Sequence, residues 1–143
     1  MSDPQSIAKA SARAMFEQDR ASQALGMRIL EIRPGHARLA MTVREDMVNG
    51  HQICHGGLIF TLADSAFAFA CNTYDAVTVA SSGTIEFLQP ARLGDELTAI
   101  ADERTRSKKT GVYDVAVRNQ RGESVALFRG RSHEIGGRIG AGS

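Results

Sequence analysis

HQICHGGLIFTLADSAF, residues 51–67, opens with metal-ligating residue types, passes through two glycines and runs on as an apolar stretch that holds one carboxylate, Asp64. From Gly56 to Asn72 it is the longest apolar stretch in the chain. Its length, its alanines and its leading glycines predict a helix rather than a strand. The helix is apolar almost all round, so most of its sides must be covered by other parts of the chain.

The rest of the sequence supplies the cover. Residues 5–24 are rich in Ala, with Ile7, Ala10, Ala14 and Met15 near helical spacing. They predict an amphipathic N-terminal helix within residues 1–25, ended by Gly26. The alternating runs 27–33 and 36–43 flank Pro34-Gly35 and read as a hairpin. Residues 44–54 look irregular, with Asn49-Gly50 as a turn pair. After the central helix come strand-like runs at 76–90, 95–105, 112–119 and 123–135, joined by short turns, which predict an antiparallel meander. The residues at 136–143 read as a flexible tail. The expected architecture is α+β: an antiparallel sheet of about six strands curled around one long central helix, with an extra N-terminal helix.

Bulk composition narrows the function. A chain of 143 residues suits a single domain, residues 1–143, with a core that needs no staples. Its formal charge of +1 gives no global field for nucleic acid or an anionic membrane. No run approaches the roughly 18 apolar residues of a membrane span. Cys54 and Cys71 are the only cysteines. The N-terminus has no long apolar core, so no secretory signal is expected. Reduced thiols in a cytoplasmic protein follow.

His51, Cys54 and His55 raise a metal site as one reading. A closed zinc site wants a fourth ligand, which would have to come from afar, from His36 or His133. The residue after His51 is Gln52, where a zinc protease needs a glutamate base. Neither a metal nor another cofactor is therefore expected. A Cys54–His55 nucleophilic dyad is awkward, because neighbours on an extended chain point to opposite sides.

Gly56-Gly57 is more informative. A helix start presents unpaired N–H groups at the positive end of the dipole, and glycine lets a substrate atom come close. The alternative is a plain tight turn. Together these features suit an oxyanion hole, a clamp for a carbonyl oxygen that gains charge. Asp64 strengthens that reading, since a carboxylate on an apolar helix is costly without a use or a partner. Gly56 and Asp64 stand eight positions apart, about 12 Å along the axis and about 80° around it. One helix cannot easily bring both to one substrate atom. If they serve one site, Asp64 comes from a neighbouring antiparallel subunit, which predicts a homodimer with two composite sites. Ser81, Ser82 and Thr84 add hydroxyls on a nearby strand. Arg92, Arg106, Lys108 and Lys109 form a modest basic set on turns, suited either to plain solvation or to phosphate.

The run from Asn49 through His55-Gly56-Gly57 to Asp64 resembles the hotdog-fold acyl-CoA thioesterases, closest to the phenylacetic-acid-degradation branch. The likeness extends through "IEFLQPARLGDELTA", "TGVYDVAV" and "VALFRGRSHEIGG". It implies a hotdog fold, a homodimer commonly paired into a homotetramer, and metal-free cleavage of an acyl-CoA, here phenylacetyl-CoA or a ring-hydroxylated relative. By position, Gly56 would polarise the thioester carbonyl, with Asn49 and His55 shaping its loop and Gly57 beside it. Asp64 would be general base or nucleophile, and Ser81 would position water or carboxylate. The Pro90–Arg92 turn and the Arg106–Thr110 turn, with Lys108, Lys109 and Thr110, would meet pantetheine and phosphates. Phe60, Phe67 and Phe69 are candidates for an acyl pocket, with core packing the competing role. Two alternatives keep the fold: an enoyl-CoA hydratase, whose Asp–His pair belongs to a different loop pattern, and a non-catalytic acyl-CoA-binding protein.

Overall fold

The computed structural model describes residues 3–140. Asp3 starts the first helix, α1 (Pro4–Gln18), by accepting the Ser6 N–H at 2.7 Å, with Pro4 in the first turn. The single N-terminal helix expected from sequence is two. Asp19 breaks it at φ −89°, ψ 84°, and its carboxylate caps a short α2 (Arg20–Ala24) through the Ser22 N–H. A local carboxylate cap outcompetes continuation here because Asp bonds the backbone better at a helix start than within one.

The next strands, β1 (Arg28–Arg33) and β2 (His36–Thr42), form the expected hairpin, with Gly35 taking the positive φ of 71° that the turn requires. After a 3-10 turn at Glu45–Met47 comes the long helix, α3 (Gly56–Cys71). Four strands follow: β3 (Thr78–Phe87), β4 (Glu96–Ser107), β5 (Thr110–Arg118) and β6 (Ser124–Glu134).

All six strands form one antiparallel sheet in the order β1-β2-β4-β5-β6-β3. This corrects the simple four-strand meander. β4, β5 and β6 do meander, but β3 pairs with β6 at the far edge instead of with β4. β2 already occupies the free side of β4, with Met41 opposite Leu97, so the strand leaving α3 has only the other edge to join.

The sheet curls around α3. Ile59, Leu62, Ala66, Phe67 and Phe69 of the helix are buried against Leu39, Met41, Leu97, Val115, Val117 and Phe128. Gly130 is part of that fit: a Cβ there would stand 2.8 Å from the Phe67 ring. β3 is different. Every residue of it is at least partly exposed, and its outer edge is unpaired among the described residues. Beyond β6, Val77 bonds to Ile135 and Gly137, while Arg138 and the Gly140 N–H reach the buried Asp75 carboxylate. The expected tail is tied this far; residues 141–143 lie outside the described residues.

Candidate active site

The start of α3 is shaped by His55. It is the N-cap, and its Nδ1 accepts the Gly57 N–H at 3.0 Å. A nitrogen that accepts carries no proton, so a neutral His55 ring bears its hydrogen on Nε2. The Leu58 N–H goes to the His55 carbonyl at 3.0 Å. The Gly56 N–H is left with no partner among the described residues. It is the donor available to a ligand at this helix end. Gly57, grouped with it from sequence, has already spent its N–H on His55.

Asn49 organises the loop before the helix. Its side-chain oxygen accepts N–H groups from His51 at 2.9 Å and Ile53 at 3.4 Å. Gln52 sits at φ 64° to complete the turn. The loop is then pinned to the β3–β4 connection: Cys54 N–H donates to the Ala91 carbonyl at 2.7 Å, and Ile53 bridges Arg92. Asp95 holds that connection by accepting the Arg92 N–H at 2.8 Å and the Gln120 amide at 3.0 Å.

These segments leave an open groove of about 360 Å³ lined by Asn49, Ile53, Gly56, Ile59, Phe87 and Pro90. Phe87 overhangs the clamp so closely that a Cβ on Gly56 would be 3.1 Å from its ring. Its role was not legible in the sequence, where it is one apolar residue of an alternating strand. Of roomier hollows of about 510 and 650 Å³, the first, on the outer sheet face, takes in only Thr84 of the candidate residues, and the second, beside α1, takes in none.

Asp64 sits partly buried on α3 with no hydrogen-bond partner for its carboxylate among the described residues. Burial pushes its pKa above the ordinary 3.8. A carboxyl so placed has its basicity raised and its lone pairs free. Ser81 lies at a bulge in β3, donating weakly to the Arg131 carbonyl at 3.2 Å.

Apart from Asp64 on the helix shaft and Ser81 on β3, the candidate residues fall into two groups. Asn49, His55, Gly56, Pro90 and Arg92 gather at the start of α3. Arg106, Lys108, Lys109 and Thr110 gather beside Cys71 and Tyr74 at its end, with the Arg106 guanidinium 3.6 Å above the Tyr74 ring. A 16-residue helix separates the two by about 24 Å. Among the described residues, no three His, Cys, Asp or Glu side chains are placed to hold a metal ion. Burial raises the Cys54 thiol to about 11 and the Cys71 thiol to about 12, so neither is a ready nucleophile.

A six-stranded antiparallel sheet around a central helix is the hotdog arrangement, and a free glycine N–H at the helix start with a carboxylate on its shaft fits thioester cleavage. The sequence pattern of the Thioesterase superfamily matches residues 51–126, and the chain belongs to that family. It is 53% identical over 129 residues to acyl-coenzyme A thioesterase PaaI of Escherichia coli, covering 90% of this chain and 92% of the relative. The solved structure of the E. coli PaaI protein from the phenylacetic acid degradation operon matches with a TM-score of 0.94 at 50% identity, over 95% of this chain and 99% of that one. A Streptococcus mutans protein bound to acetyl CoA matches with a TM-score of 0.76 at 27% identity, over 78% of this chain and 90% of that one.

Proposed function

We propose that this chain is an acyl-CoA thioesterase that hydrolyses phenylacetyl-CoA or its ring-hydroxylated relatives to the free acid and CoA. The observation that carries the reading is the unpartnered Gly56 N–H at the start of the same helix that holds the unpartnered Asp64 carboxylate. A thioester carbonyl oxygen bound at Gly56 N–H gains charge as its carbon is attacked, and that donor stabilises the charge. Asp64 takes a proton from the attacking water, or attacks the carbon itself. By either route the C–S bond breaks and CoA leaves as a thiolate, a leaving group good enough to need no strong acid; where Asp64 has attacked, water then hydrolyses the acyl–aspartyl anhydride to the free acid and restores the carboxylate. The name and setting of the PaaI relative support phenylacetyl as the acyl group.

In this reading the working unit is a homodimer, and dimers pair into a tetramer. Gly56 of one chain acts with Asp64 of the partner subunit. The exposed, unpaired edge of β3 supports such a partner, since a free edge invites a second strand. An antiparallel pairing of the two helices also brings the end of one α3 towards the start of the other. That would bring the Arg106–Thr110 turn within reach of a CoA phosphate at the opposite clamp. The two reduced, buried thiols support a cytoplasmic setting.

The test is thiol release from phenylacetyl-CoA in a colorimetric thiol assay. A hydratase or a binding protein releases none. Mixing inactive Asp64→Ala and Gly56→Val chains under subunit exchange should restore about a quarter of the parent activity, because half the dimers are mixed and each has one intact site. No recovery despite demonstrated exchange would overturn the shared site.

A further inference from the structure

The aromatic side chain in the wall of the groove beside Gly56 is Phe87. The phenylalanines of α3 are engaged elsewhere. Phe67 is 1% exposed and Phe69 0%, and Phe60 meets Phe128 edge-on with ring centres 5.3 Å apart. Phe87 is the last residue of β3. It stands two residues beyond Ile85, so both side chains point to the face that covers α3, where Ile85 packs on the core. Its backbone is held by pairing with Ala126 and by the next N–H, of Leu88, which donates to the Val125 carbonyl at 2.9 Å. The side chain presents the tip of its ring to Gly56. The three ring atoms nearest a Cβ placed there would lie at 3.1, 3.4 and 3.6 Å.

The groove offers an apolar lining and little to a polar ligand. Ile53, Ile59, Phe87 and Leu88 line it. The Asn49 side-chain oxygen is spent on His51 and Ile53, the Leu88 and Gln89 N–H groups on the Val125 carbonyl, and the Ala91 carbonyl on Cys54. A pantetheine arm carries amides that need partners, whereas an acyl chain needs none, so the groove suits the acyl group. A thioester oxygen on the Gly56 N–H lies about 2.9 Å from that nitrogen. The carbon next to the carbonyl then falls beside the ring tip. With the rest of the acyl group in the groove, the ring has no room to turn away.

We propose that Phe87 gauges the acyl group at the carbon next to the carbonyl, admitting a CH2 there and rejecting a branched carbon. The proposal rests on the thioesterase reading above. An added methyl at a filled contact must displace the ring, and one methyl or methylene in such a pocket decides a rate ratio of about tenfold or more.

The test compares phenylacetyl-CoA with 2-phenylpropanoyl-CoA, which adds one methyl at that carbon, on the parent protein, Phe87→Leu and Phe87→Ala. Phe87 is 53% exposed, so its truncation opens no hole in the core, and melting curves confirm the fold. The ratio of kcat/KM for the branched over the unbranched ester should rise at least about tenfold in Phe87→Ala and by less in Phe87→Leu. Slowing that the branch causes by itself is the same for every variant and cancels in the comparison. The same ratio is read from the binding of the two ketones in which a methylene replaces the thioester sulfur. An unchanged ratio in Phe87→Ala, or equal losses on both esters, overturns the gauge. A parent protein that cleaves neither ester overturns the thioesterase reading instead, and the binding of the ketones still decides the role of Phe87.

Discussion

The Nδ1 of His55 accepts the N–H of Gly57 at 3.0 Å, and among the described residues this bond leaves Gly56 alone as the free donor at the start of α3. In the proposed reaction His55 thus acts on the backbone beside the carbonyl clamp. His55→Ala should lose the cap, cost about 1 kcal/mol of stability and reduce kcat at least tenfold. His55→Asn restores an oxygen acceptor at the N-cap and should recover the stability, with part of the turnover. Thermal unfolding and steady-state kinetics on the two variants check this.

Gly56→Ala separates fold from chemistry. Alanine is a better helix former than glycine, so stability should change by less than about 1 kcal/mol. The new Cβ would stand 3.1 Å from the Phe87 ring, which is 53% exposed and can swing away into the groove. Turnover should fall at least tenfold because a methyl and a displaced ring occupy the carbonyl's approach. Kinetics beside a melting curve would show whether activity is lost with the fold intact.

Asp64 links activity and stability to pH in opposite ways. Burial raises its pKa above 3.8. Between that value and the raised one, the unfolded chain has released the proton that the folded chain keeps. Stability therefore falls as pH rises through this window and stays lower above it. Asp64→Asn should melt higher than the parent at pH 7 and converge with it as the pH drops below 3.8. The same substitution should reduce turnover at least about 100-fold. In the parent, kcat/KM should decline on an acid limb centred above the ordinary aspartate value.

Gly130→Ala tests the packing under α3. The added methyl would lie 2.8 Å from the ring of Phe67, which is 1% exposed and wedged against Tyr113 and Phe128. Neither partner can yield, so the variant should lose about 1–3 kcal/mol in chemical denaturation.

The thiols should be silent. Cys54 is 4% exposed and Cys71 4% exposed, with pKa values pushed up to about 11 and 12. A thiol reagent at pH 7 should label neither until the chain is unfolded, and Cys54→Ala should remain active. Rapid labelling of the native protein would revive Cys54 as a nucleophile.

The sequence by itself determined the elements and singled out the glycines and the carboxylate of the candidate site. An all-round apolar helix from Gly56 demanded a wrapping sheet, and alternating runs punctuated by Pro34-Gly35, Gly94 and Gly122 supplied it. These are local properties of period and turn chemistry, so they are legible residue by residue. The break at Asp19 was local too, but helical periodicity runs through it and hides it. Tertiary structure alone decided the rest. β3 went to the edge beside β6 because β2 had filled the place beside β4, a competition between strands far apart in sequence. Gly56 rather than Gly57 kept its N–H because the His55 ring folds back on the second glycine. Phe87 reached the clamp, and Phe60 stayed partly exposed while Phe67 and Phe69 became core, because the neighbours packed on each ring differ. Hydropathy assigns all three phenylalanines the same value; only the packed neighbours distinguish them.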